Sequence, residues 1–125
     1  MEWSVHLDLA QGYIIADQWG PFTLTEQFSF LRAILLSPYW KPGMPLLIKY
    51  PRLEINNIDS KDLEEIRDDL GRLIGRISAS RIALVAGTDL QFGLGLGFKN
   101  ISAGHVNGDI EVFSEEANAI EWLTS

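Results

Sequence analysis

The stretch Arg81-Ile82-Ala83-Leu84-Val85-Ala86-Gly87 constrains the fold of this chain more than any other. It is short and apolar, it does not alternate, and it ends in glycine. A strand with one face in water alternates apolar and polar residues, whereas a strand without polar positions is covered on both faces. A helical pattern runs directly into this stretch from upstream, so helices are the natural cover. The other segments are read as layers around it.

Upstream, Trp3, Val5, Leu7 and Leu9 alternate with Ser4, His6 and Asp8, the pattern of a strand with one apolar face. Ala10-Gln11-Gly12 breaks it, with Gly12 free to take a positive φ, and Tyr13 to Trp19 resumes as a second strand. The opening is therefore a β-hairpin, ended by Gly20-Pro21. Thr23 or Thr25 caps a helix whose stripe is Leu24, Phe28, Leu31 and Leu35, widened by Phe30 and Ile34. Ser37-Pro38 stops it, residues 39–45 form a loop, and Leu46 to Tyr50 reads as a third strand ended by Pro51. Residues 52–58 carry no firm pattern. Asp59 or Ser60 caps the next helix, where Leu63, Ile66, Leu70, Leu73 and Ile77 recur at helical spacing and Asp68 precedes Arg72 by four. Gly71 and Gly75 weaken that helix, and Gly75 is a candidate early end.

After the axial strand, Thr88 or Asp89 is placed to cap a helix across residues 90–98. The glycines at 93, 95 and 97, and the alternation of Phe92, Leu94, Leu96 and Phe98, suit a strand equally well. A loop over 102–108, a short strand Asp109 to Phe113, and a final helix capped by Ser114 and packed through Ala117, Ile120 and Leu123 complete the chain. Strands alternating with helices imply right-handed crossovers and parallel pairing. The expected fold is α/β, a mixed sheet of about five strands with helices packed on it.

The 125 residues suit a single domain over 1–125, and 46 % hydrophobic with 22 % charged residues is the balance of an ordinary globular protein. With no cysteine, disulfides, thiolate metal sites and thiol nucleophiles are excluded. A formal net charge of -7 opposes binding to phosphate backbones, so no nucleic acid is expected as a partner. The first residues lack a basic and then apolar leader pattern, and no apolar run approaches the ~20 residues of a membrane span. A soluble cytoplasmic protein is expected.

Few residues suggest chemistry. Gly93-Leu94-Gly95-Leu96-Gly97 resembles a phosphate loop only superficially: no GK[ST] follows and GxGxxG is not met, so close backbone packing is the expected reason for it. His6 and His105 are the only histidines, and no metal-ligand spacing surrounds them, so neither metal nor cofactor is expected. Ser102 and His105 are too close in sequence to imply a triad. Loop aromatics stand out more. Trp19, Phe22, Tyr39 and Trp40 flank the first helix, where they serve as lids over the core or as contact sites.

Ile58-Asp59-Ser60-Lys61-Asp62-Leu63 resembles the Asp-Ser-Ser-Gly-Leu helix start of anti-sigma-factor antagonists, the bacterial STAS domains of the SpoIIAA type. Thr25-Glu26, Arg81 to Val85, and Val112 to Ala117 with Trp122-Leu123 resemble the looser SpoIIAA-like group, also described as STAS/Sec14-like. The resemblance implies that fold with an N-terminal hairpin. It places the regulatory serine of the antagonists at Lys61, with Asp62 in place of the glycine and Ser60 at the first serine.

The resemblance therefore implies a non-catalytic regulatory or protein-interaction module, with Asp59, Ser60 and Lys61 as phospho-switch or contact surface for a regulatory partner. The alternative, from its Sec14-like side, is a module binding a small apolar ligand or lipid in a pocket of Trp19, Phe22, Trp40, Phe92 and Phe98. An enzyme would need distant residues such as Asp17, Lys49, Asp59 and His105 to converge. A homodimer is expected through the hairpin, because Trp3, Trp19, Trp40 and Trp122 are many tryptophans for so short a chain to bury.

Overall fold

The computed structural model describes residues 1–56, 60–106 and 108–125, with the side chains of Ser60 and Asp62 excepted. The elements run β1 (Glu2–Asp8), β2 (Tyr13–Pro21), α1 (Leu24–Leu35), β3 (Leu46–Glu54), α2 (Ser60–Ile77), β4 (Arg81–Val85), α3 (Asp89–Ser102), β5 (Asp109–Phe113) and α4 (Glu116–Leu123). The strands lie in sequence order in one sheet. β1 pairs antiparallel with β2, and β2, β3, β4 and β5 pair in parallel. The hairpin closes at Gly12, whose φ of 76° is the left-handed value glycine adopts without strain.

Alternation along each strand divides the core into two layers. Ile14, Ala16, Leu46, Ile48, Ile82, Leu84 and Ile110 meet Phe30, Leu31 and Ile34 of α1, Leu70, Leu73, Ile74 and Ile77 of α2, and Ile101 of α3. Tyr13, Leu47, Ala83 and Val85 point the other way, onto Ala119 and Leu123 of α4. β3 and β4 are thus covered on both faces, which is why their sequences do not alternate. Trp3, Val5 and Leu7 of β1 pack on the first layer, while Ser4 and His6 face water.

Pro51 does not end β3. Opposite it the pairing with β2 slips, from Asp17↔Lys49 to Trp19↔Arg52, so β3 carries one extra residue there. A bulge is where a residue without an N–H costs least in a sheet, and the strand continues to Glu54. Residues 90–98 are helical. The Thr88 side chain accepts from Gln91 N while the Gln91 side chain accepts from Thr88 N, a capping box that outweighs the three glycines. This helix reaches Ser102, inside the expected loop.

Thr23, not Thr25, caps α1 and accepts from Glu26 N. The most buried residues of α1 are Gln27, Phe30, Leu31 and Ile34, with Phe28 and Leu35 at the margins of the stripe. α2 does not stop at Gly75. Its glycines instead admit the α3–β5 loop: a Cβ on Gly71 would stand 2.6 Å from the His105 ring, and one on Gly75 would collide with the His105 carbonyl oxygen. Arg72 pairs with Asp69 at 3.1 Å rather than with Asp68. The N-cap of α4 is Glu115 rather than Ser114, with no side-chain capping bond, and Ala119 rather than Ala117 is buried. The expected cap of α2 at Asp59 lies outside the described residues.

Candidate functional site

Parallel strands deliver their carboxyl ends, and the amino-terminal halves of the helices that follow them, to one edge of the sheet, the usual place for a ligand in an open α/β fold. At that edge the first core layer does not close. A cavity of about 280 Å³ lies between the sheet and α1, α2 and α3. This is just below the roughly 300–1,000 Å³ usual for small-molecule pockets. Its floor is Ile48, Tyr50 and Leu53 of β3 with Leu84 of β4. Leu24 and Gln27 of α1 and Leu63 and Leu70 of α2 form two walls, and residues 93–98 of α3 contribute a third through Gly93, Leu94, Gly95, Gly97 and Phe98. Phe22 and Gln18 close the β2 side.

The three cavity-lining glycines of α3 differ in what surrounds them. A Cβ on Gly93, which is exposed, or on Gly97 would meet nothing within 4 Å among the described residues, so packing does not require glycine at either position. Gly95 differs: its missing Cβ admits the Tyr50 hydroxyl and Val112. Close packing therefore accounts for Gly95 alone among the three. The helix start is held to the sheet by Gln91. Its Nε2 donates to Pro51 O and Leu53 O, both at 3.0 Å, and its Oε1 accepts from Gly87 N at 2.6 Å and Thr88 N at 3.0 Å. The two bonds to β3 tie the cavity floor to its α3 wall, and the two from Gly87 and Thr88 hold the turn that starts the helix.

Among the described residues, three polar side chains line the cavity. The Tyr50 hydroxyl donates to Gln91 O at 3.0 Å, and burial holds its pKa above the ordinary tyrosine range, so it stays protonated. Gln18, on the core face of β2, donates from Nε2 to Gln27 Oε1 of α1 at 2.7 Å. The glutamines escaped sequence reasoning, although a signal existed. Gln27 falls on the apolar stripe between Leu24 and Leu31, and Gln18 continues the core-facing alternation of Ile14 and Ala16.

Of the five aromatics expected to form a pocket, Phe22 and Phe98 line this cavity. Trp19 points to the sheet face opposite Gln18, with its Nε1 donating to Glu2 at 3.0 Å and the Arg52 guanidinium carbon 5.2 Å from its ring centre. Trp40 is buried at the other end of the sheet, donating to Ile77 O at 3.0 Å. Phe92 is half-buried against the main core without reaching the cavity. Trp3 stacks edge-on to Phe30 at 6.0 Å, and Trp122 lies 5.6 Å from Phe113. Each tryptophan thus has a partner within the chain.

Asp59 lies outside the described residues, Ser60 is the first residue of α2, and Lys61 is exposed beside it. Asp17 and Lys49 do meet, at 3.9 Å, and Lys49 is held more closely by Glu116 at 3.0 Å. His105 packs against α2 across the sheet from them, so these residues do not converge. Among the described residues, no three acidic, histidine or cysteine side chains cluster as metal ligands, and no helix is long and apolar enough to cross a membrane.

No protein-family model matches the chain, and no curated protein matches its sequence. Its structure is similar to the crystal structure, at 2.25 Å resolution, of an uncharacterised protein of the DUF3478 family from Shewanella loihica PV-4, described as having a SpoIIAA-like fold. The two share 19 % sequence identity with a TM-score of 0.59, over 97 % of this chain and 93 % of that one. With its antiparallel hairpin leading into a parallel sheet of sequential order, this chain has the SpoIIAA-like fold.

Proposed function

We propose that this chain is a binding module for a small apolar ligand held between the sheet and helices α1, α2 and α3. The observation that carries the reading is the cavity itself, with aliphatic, aromatic and glycine walls at the carboxyl edge of the parallel strands. Transfer of apolar ligand surface from water into such a site contributes roughly 25 cal/mol per Å². Among the described residues, the polar lining groups are two amides and a phenol kept neutral by burial, which suit hydrogen bonding rather than proton transfer. A single copy of the chain supplies every wall.

The test is a titration with butylbenzene followed by amide NMR. Saturable shifts centred on Gly93, Leu94 and Gly97, abolished in a Gly97→Leu variant that fills the space, are expected. A crystal structure with the cavity closed by side chains, together with no saturable shift, would reject the reading.

Regulation is a second reading, favoured by Leu63. This cavity-lining residue lies one turn into the helix that begins at Ser60, so an occupant bears on the expected contact surface of residues 59–61. Recovery of the protein from its host with no stoichiometric protein partner, ligand present or absent, counts against it.

A further inference from the structure

Gln18 and Gln27 are only 4 % and 8 % exposed, and both line the cavity. An amide pair joined by one hydrogen bond uses one donor and one acceptor. The second hydrogen of Gln18 Nε2 faces Met1 Sδ at 3.5 Å. Gln18 Oε1 and Gln27 Nε2 then remain, with no protein partner among the described residues, and neither atom is sealed from the cavity or solvent. Turning both amides over leaves the same complement, one carbonyl and one NH2 group. No charged side chain lines the cavity among the described residues.

We infer that the cavity selects its ligand by an uncharged head that both donates and accepts hydrogen bonds, a carboxamide or a primary alcohol, bound by Gln18 and Gln27. The inference rests on the apolar-ligand reading and adds the head group to it. A carboxamide is the best match, since its carbonyl accepts from Gln27 Nε2 while its NH2 group donates to Gln18 Oε1. A carboxylate satisfies the donor but sets its charge against the Gln18 carbonyl oxygen. It also loses its hydration without gaining a cation. The alternative role for the pair is purely structural, a clip between β2 and α1 that is indifferent to what the cavity holds.

Butylbenzene, phenylbutanol, phenylbutanamide and phenylbutanoate share one apolar body and differ in the head. Binding of all four near neutral pH, measured by calorimetry or NMR titration, separates the possibilities. The amide and alcohol are expected to bind about tenfold or more tightly than the carboxylate, the effect of roughly one well-made hydrogen bond and an unpaired buried charge. In a Gln18→Leu/Gln27→Leu variant, which removes both amides together, that preference is expected to vanish while butylbenzene still binds. Equal or tighter binding of the carboxylate overturns the inference while leaving the cavity reading intact, and so does a preference that survives in the double variant. If none of the four binds, both fall. Should the double variant fail to fold, the ranking on the unaltered protein decides alone.

Discussion

Gly95 and Tyr50 are in such close contact that a Cβ on the glycine would overlap the tyrosine hydroxyl. The contact joins the middle of α3 to β3 and sets how near the helix lies to the sheet. Two residues away, Gly97 faces open space. The same residue type on one helix therefore has opposite roles, and substitution separates them. Gly95→Ala forces Tyr50 or Val112 to move and is expected to destabilise the protein by about 1–3 kcal/mol, the usual cost of overpacking. Gly97→Ala meets no neighbour and is expected to stabilise it by about 0.5–1 kcal/mol through helix propensity. Urea denaturation of both variants checks this, and equal effects would show that the two positions are not distinguished by packing.

The element order was legible because it is written in local periodicity. Period two at Trp3 to Leu7 and period near 3.6 across Leu63 to Ile77 each need only one segment to be read, although the alternation overran at Leu9, which lies exposed in the hairpin turn. The 90–98 region was ambiguous because its alternation fits both periods, and the arbiter, the Gln91 side chain, also reaches across to β3. Pro51 was misread for a similar reason: a bulge is a property of two paired strands, not of one. The cavity was the least legible feature. It is assembled from residues of α3 and five other elements, β2, α1, β3, α2 and β4, which no single segment's periodicity reveals. Aromatic residues were the expected signal for a pocket, yet Trp19 and Trp40 found polar partners at Glu2 and Ile77 and serve as covers for the sheet.

Gly71 and Gly75 invite a second comparison, since both face His105 but meet different parts of it. On Gly71 a new Cβ would stand 2.6 Å from Cδ2 and 2.8 Å from Nε2 of an exposed imidazole, which can swing away. On Gly75 it would collide with the backbone carbonyl, which moves only with the loop. Gly71→Ala is expected to be near neutral, its helix gain of about 1 kcal/mol offset by displacing the ring. Gly75→Ala is expected to destabilise by about 1–3 kcal/mol. Adding His105→Ala should release the gain at Gly71 and leave the loss at Gly75. Denaturant midpoints of the single and double variants measure both, and rescue of Gly75→Ala by the ring deletion would place the collision on the side chain instead.

Tyr50 couples the cavity floor to alkaline pH. Burial raises the pKa of its hydroxyl, which donates to Gln91 O at 3.0 Å, above the ordinary value. Tyr13 is shifted the same way, by burial first and then by the negative charges of Asp8 and Glu116. In the unfolded chain a tyrosine releases its proton near pH 10, about where a free phenol does. Above that pH the unfolded state loses protons that the folded state keeps, so rising pH favours unfolding. The stabilisation is fully present below about pH 10 and is lost as pH climbs from there toward the folded-state value. Tyr50→Phe removes the proton and the hydrogen bond together. At neutral pH it is expected to cost about 0.5–1.5 kcal/mol, the net worth of one hydrogen bond whose acceptor remains in the α3 ladder. Above about pH 10 the variant should lose stability less steeply than the parent, since one group whose titration drives unfolding is gone. Urea midpoints taken at intervals between about pH 8 and pH 11 give the two slopes, with tyrosinate absorbance followed in the same samples. Parallel slopes would mean that Tyr50 ionises in the folded protein as readily as in the unfolded chain, and the cavity floor would then have to be open to water.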